Sequence, residues 1–346
     1  GDPDFCRALL RAMGSPRDVT LGSGKLRLMR TGAYESTVDA EALAEDIGYP
    51  GQEQSNTGVF FGRRIYLKGY MRLQSGINPE LEVGRFLTDE SPYPNIGAVL
   101  GAMEYVGRDG VPTALAIAQR FVRNQGDLWT YTLEYLDRHM GGGAVSAADT
   151  PPAADTSHPH ALFTSQAHTL GMRVGELHWA FAATTGDPAF DPEPVTEADL
   201  HAWVETVRAD VTSTFDRLEH KRSDLDEPTR ILADELLARR LGLCDPVAEI
   251  PLAGAGLVKT RYHGDLHFGQ VLITGNDFVI IDFEGEPMRP LEERRAKGSP
   301  VAGARVAVRD CRARRSADAL EARARRRCSS QRPMSSRKSS ETAASK

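Results

Sequence analysis

Residues 262–287, YHGDLHFGQVLITGNDFVIIDFEGEP, contain two short runs rich in Val and Ile, 271–274 and 278–282, separated by a Gly-Asn turn and bounded by polar residues. That pattern predicts a β-hairpin. A second hairpin is predicted over 59–70, where VFF and IYLKGY flank GRR and Lys68 alternates against Leu67. Two longer apolar runs, 96–106 and 113–122, split by the turn GRDGVP, predict a further strand pair. Helical spacing occurs at 4–13, with Phe5, Leu9 and Met13 behind an Asp cap, and Pro79 suits the first turn of a helix over 79–87. Beyond Asp127 as a cap, Trp129, Leu133 and Leu136 recur on one face. Three helical stretches follow, 160–183, 196–221 and 227–241; the first carries Leu162, Leu170, Val174, Leu177 and Phe181 on one side. Residues 14–54 are broken by Gly and Pro, with a strand expected at 25–30, and the low-complexity 141–159 reads as an exposed loop.

At 346 residues the chain is long enough for two lobes. Its apolar fraction of 40% and net charge of −6 fit a soluble, mildly acidic protein and argue against nucleic-acid partners. Cys6, Cys244, Cys311 and Cys328 show no CxxC spacing, which points to reduced thiols and a cytoplasmic setting. No apolar run approaches the length of a membrane span, and no signal peptide is present. The first residue is Gly, which fits a cloning scar or a piece of a longer polypeptide equally well.

The hairpin at 262–287 brings the candidate chemistry together. Asp265 and Gln270 precede its first strand, and Asp282 and Glu284 close its second, so three carboxylates and a carboxamide converge at one mouth. Crowded carboxylates repel unless a cation sits among them. Mg²⁺, which takes hard oxygen ligands and phosphate oxygens, is the natural guest. In phosphoryl transfer an Asp orients the attacking hydroxyl, an amide residue and a second Asp hold metal on the nucleotide, and a strand Lys contacts phosphate. Asp265, Gln270, Asp282 and Lys68 match those parts, with Glu82 the expected partner of Lys68 and Glu80 two residues away. Each half-motif alone could be a plain turn or a buried strand; their order and spacing favour the chemistry. A zinc site from His263, Asp265 and His267 is a weaker alternative, with no second ligand cluster to support it. No Gly-rich GxGxxG and no GxxxxGK[ST] occurs; Ser55, Asn56 and Thr57 stand where a phosphate-covering loop belongs, or form a polar turn. Glu104 and Gln119 are candidates for the adenine pocket, and Trp129 and Tyr131 for stacking on a base or sugar, with core packing the blander role.

HGDLHFGQVL with IIDFEGEP and PLEERRAKGSP behind it resembles the maltokinases, relatives of the aminoglycoside phosphotransferases and, more remotely, of protein kinases. Residues 53–87 and 124–140 look like maltokinase segments too, so the resemblance runs from Asp2 to about Pro300. It implies an α+β, protein kinase-like two-lobed fold: a cap subdomain at 1–54, a β-rich N-lobe at 55–123 and a mostly helical C-lobe at 124–300. The implied reaction passes the γ-phosphoryl of ATP, with Mg²⁺, to the anomeric hydroxyl of maltose, giving maltose 1-phosphate for α-glucan synthesis. By match, Asp265 is the base, Gln270 and Asp282 are Mg²⁺ ligands and Lys68 is the phosphate contact. Glu284 would serve a second metal or the substrate, His263 would position the loop, and Arg289 would touch substrate or product phosphate. Many members are fused to a trehalose synthase, which makes that enzyme, fused or associated, an expected partner. Another small-molecule kinase of the superfamily, acting on an aminoglycoside, choline or a different sugar, and an inactive fusion remnant are the alternatives.

Residues 301–346 depart from this resemblance. They are Arg-, Ala- and Ser-rich, and no Phe, Trp or Tyr follows Glu284. Such a segment cannot bury enough apolar surface to pack, and it is expected to be a disordered basic tail arising from a reading-frame change.

Overall fold

The computed structural model describes residues 2–50, 56–140, 160–240, 242 and 256–300. Ser55, the 141–159 loop and the 301–346 tail lie outside the described residues. Among the described residues the chain divides into two compact units, one built from residues up to Pro194 and from Leu257 to Pro300, the other from Val195–Gly256.

The first unit opens with α1 (Pro3–Met13), which begins two residues earlier than the spacing predicts because Asp2, not Asp4, supplies the cap. Its buried stripe is accordingly Cys6, Leu10 and Met13, and Phe5 is exposed. A seven-stranded antiparallel sheet follows, with β1 (Arg17–Leu21), β2 (Gly24–Arg30), β3 (Ile47–Gly48), β4 (Thr57–Phe61), β5 (Ile65–Gly69), β6 (Val99–Val106) and β7 (Pro112–Arg120). Its order is β1-β2-β6-β7-β5-β4-β3. A short helix, α2 (Ala40–Ala44), precedes β3. Strand alternation sorts the sheet's side chains onto two faces. Phe61, Ile65, Leu67 and Leu100 join α1 in one cluster, while Val99, Ala102 and Ile117 face Leu81 of α3 (Pro79–Arg85) in the other. Lys68 pairs with Ile117 across β5 and β7, so its side chain falls on the α3 face.

After β7 the chain runs as a strap through 121–127 and pairs with the hairpin at 271–280: Gln125 N–H donates to Ile273 O (2.9 Å), and Ile273 N–H to Gly126 O (3.0 Å). Asp127 accepts from Thr130 N (2.9 Å) as α4 (Leu128–Met140) begins. In α5 (Ala161–Phe181), Leu170, Val174, Leu177 and Phe181 are buried as their spacing predicts, but Leu162 is 70% exposed. The two-residue strands β8 (Glu193–Pro194) and β9 (Val258–Lys259) pair with each other. The hairpin itself is β10 (Val271–Thr274) and β11 (Asp277–Ile280), with Gly275 in the left-handed region at its turn (φ +68°). A short helix, α8 (Leu291–Arg295), follows.

The second unit holds α6 (Glu197–Lys221) and α7 (Glu227–Ala238). Thr196 and Asp199 form a reciprocal capping box, and Arg222 pairs with Asp234. On α6, Phe215 is buried and Val207 is exposed.

Candidate active site

Lys68 is the centre of the site. Its Nζ lies 2.8 Å from Glu80 Oε2, 2.5 Å from Glu284 Oε1 and 3.7 Å from Asp282 Oδ1. Burial works against its charge, but the three carboxylates outweigh that and hold its pKa above the ordinary lysine value. Glu80 also accepts from Tyr70 OH (2.7 Å). Its own pKa is raised, by burial first, with Asp282 and Glu284 adding repulsion and Lys68 opposing it.

Ligand oxygens of Glu80, Asp282 and Glu284 all lie within 4.8 Å of one another. Asp282 Oδ1 is buried and makes no hydrogen bond, and its residue holds φ at +65°, a conformation that costs a non-glycine residue energy. One lysine cannot neutralise three carboxylates, so hard oxygens and an orphaned, buried carboxylate atom fit Mg²⁺. Gln270 joins the group by donating from Nε2 to Asp282 Oδ2 (2.8 Å).

The loop ahead of β10 is fastened to the same motif. His263 is buried, its Nε2–H donates to Ile281 O (2.9 Å) and its ring lies 4.7 Å from that of Phe283. Burial lowers its pKa to about 4, so the ring is neutral and Nδ1 is free to accept from Asp265 N–H at 3.4 Å. Gly264 (φ +83°) passes so close to the motif that a Cβ there would sit 3.0 Å from Gly285 Cα. Asp265 is thus carried on a loop tied at His263 to Ile281 and pressed at Gly264 against Gly285. On the far side, Arg294 donates to Glu284 O (3.2 Å) and to Gln74 Oε1 (2.5 Å).

A cavity of 610 Å³ opens beside Lys68. Ile96, Phe121, Val122, Leu272 and Ile280 give it an apolar end, and Lys68, Glu80, Gln270 and Asp282 a charged one. Gln119 and Asn56 line it. An apolar slot leading to Lys68 and the carboxylates of Glu80 and Asp282 suits a flat base at one end and metal-bound phosphates at the other.

Several expectations change. The partner of Lys68 is Glu80, not Glu82: at 100° per residue, two steps along α3 turn a side chain to the opposite side. Glu82 instead binds Arg261 (2.9 Å) and Arg295 (2.6 Å). Arg289 pairs with Glu286 (2.9 Å) and Glu293 (3.2 Å) on the segment entering α8. Thr57 starts β4 exposed and does not line the cavity. Glu104 faces Arg27 on β2 and is absent from the cavity wall, as are Trp129 and Tyr131. His267 Nδ1 accepts from Gly269 N–H (3.1 Å) and His263 is committed to backbone, so neither is offered as a zinc ligand. Glu80 and Tyr70 are the site residues that sequence reasoning ranked too low. Asn78, which caps α3 by accepting from Leu81 N (3.1 Å), fixes the phase that brings Glu80 to Lys68.

An antiparallel sheet with Lys68 and α3 on one face, a strap, and a carboxylate-bearing hairpin define an α+β, kinase-like fold. The solved structure of a glucosamine kinase in complex with glucosamine, ADP and inorganic phosphate superposes with a TM-score of 0.59 at 19% identity, covering 87% of this chain and 61% of that one. Among curated proteins, the glucosamine kinase of Mycolicibacterium smegmatis is 28% identical over 245 residues, 70% of this chain and 52% of the relative. The glucosamine kinase of Streptacidiphilus jiangxiensis is 26% identical over 259 residues, 71% and 49% respectively. The chain therefore spans about half the length of the curated relatives it matches. No family model matches it. These relatives support a kinase-like chain; they do not single out the maltokinases. Among the described residues, no helix is long and apolar enough to cross a membrane.

Proposed function

We propose that the chain is an ATP-dependent sugar kinase. The observation that carries this is Lys68 held among Glu80, Asp282 and Glu284 at the charged end of the cavity. The base of ATP would occupy the apolar end and the strap at 121–124. Lys68 would turn toward the phosphates, with Glu80 and Tyr70 keeping its direction. Asp282, Gln270 and Glu284 would hold Mg²⁺, which supplies charge neutralisation of the phosphates when bound. Asp265 would accept the proton of the attacking sugar hydroxyl as its oxygen bonds to the γ-phosphorus and ADP departs. His263 keeps the Asp265 loop in register with Ile281 and Asp282.

The acceptor we favour is glucosamine, on the strength of the two curated relatives and the solved complex. Maltose is the second reading, supported by the likeness of HGDLHFGQVL and DFEGEP to maltokinase segments. ADP release from Mg²⁺·ATP, measured with each sugar in turn and with glucose as a control, separates them. Release with glucosamine alone supports the first reading and release with maltose alone the second. Release with neither, from a chain that binds nucleotide, would favour another acceptor such as an aminoglycoside or choline. Absence of nucleotide binding would favour an inactive remnant.

A further inference from the structure

Arg261 is 1% exposed and stands two residues before His263, yet nothing in the reaction calls for it. Its Nη1 donates to Glu82 Oε2 at 2.9 Å, and its guanidinium lies 4.9 Å over the ring of Phe190. Phe190 in turn stacks at 3.8 Å on Phe86, which directly follows α3. Arg295 of α8 grips the same carboxylate twice, Nη2 to Oε1 at 2.6 Å and Nε to Oε2 at 2.8 Å. A buried arginine needs its partner, since a lone guanidinium in the interior is far costlier than an apolar side chain of similar size. The arrangement is also directional. Glu80 and Glu82 leave α3 on opposite sides, so the helix is tied to Lys68 on one flank and to the chain entering the catalytic loop on the other.

We propose that Glu82, Arg261 and Arg295 are positioning residues: a buried clamp that sets the rotation of α3, and through it holds Glu80 against Lys68 in register with the Asp265 loop. A seven-residue helix has little rigidity of its own; the Asn78 cap, Leu81 on the sheet and the Glu80 contacts hold one side of it, and the anchor at Glu82 holds the other. The value of this clamp for catalysis rests on the sugar-kinase reading; its effect on Lys68 does not.

The test uses the full chain and the variants Glu82→Gln and Arg295→Met, the second removing only the more exposed half of the clamp. Leu10→Ala, in the α1 cluster, serves as a control of comparably lowered melting temperature. The rate at which an amine-reactive acetyl ester modifies Lys68 is followed by mass spectrometry under native conditions. The clamp predicts a rise of at least about tenfold for Glu82→Gln, an intermediate rise for Arg295→Met and none for the control. In ADP-release assays kcat should fall about tenfold or more in Glu82→Gln while the KM for sugar stays within about twofold. Lys68 reactivity in Glu82→Gln no higher than in the control would overturn the clamp. A Lys68 that responds in the variants, beside a wild type that gives no sugar turnover, would keep the clamp and overturn the sugar-kinase reading.

Discussion

His263 should make the fold sensitive to mild acid. The ring is buried, its Nε2–H is committed to Ile281 O, and burial lowers its pKa from 6.5 to about 4. As pH falls through 6.5 the unfolded chain takes up a proton on this residue, and the folded chain does not until about 4. The unfolded state therefore binds more protons in that window, and stability falls with pH. The contribution is complete above about 6.5 and gone below about 4. At ~1.4 kcal/mol per unit over roughly 2.5 units, it amounts to about 3 kcal/mol. His263→Gln keeps a donor for Ile281 O but does not titrate. Urea unfolding followed from neutral pH to about 4 should show the wild type losing about 3 kcal/mol more than the variant. Parallel pH profiles would refute the reasoning. The same protonation would abolish acceptance from Asp265 N–H, so turnover should fall on the acid side together with stability.

Lys68→Met leaves Glu80, Asp282 and Glu284 without their cation and should cost about 3–5 kcal/mol in urea unfolding without metal, part of it recovered on adding Mg²⁺. An Mg²⁺-independent loss would argue against a cation site there. Asp282→Asn acts with the opposite sign on the metal-free protein: it removes one of three mutually repelling negative charges, so the melting temperature should hold or rise. The Mg²⁺-induced rise in melting temperature should disappear in this variant; persistence of the full rise would place the metal elsewhere.

The hairpins were legible because strand alternation is strict and the turns carry Gly. Val271–Thr274 and Asp277–Ile280 match the predicted runs to within two residues, and Lys68 falls on the sheet face that alternation assigns. Helical phase was harder. In α1 the cap is Asp2, and the face packed on the sheet is that of Cys6 and Leu10 rather than Phe5 and Leu9, a choice that tertiary contact makes. In α3 the same kind of ambiguity exchanged Glu82 for Glu80, because only tertiary contact with Arg261 and Arg295 shows which acid faces away from Lys68. Strand β1 was invisible: RDVTL is exposed at every position and is held by pairing with β2 rather than by burial. The cavity's apolar end was equally hidden, since Ile96, Phe121 and Leu272 come from distant segments that look like ordinary core.

The most direct test of the central claim is sugar-dependent ADP release from Mg²⁺·ATP by the wild type and by Asp265→Asn, with glucosamine and maltose as acceptors. The account predicts turnover that requires both sugar and Mg²⁺, and that falls by about a thousandfold in Asp265→Asn at an unchanged melting temperature. An Asp265→Asn protein that turns over like the wild type would contradict it.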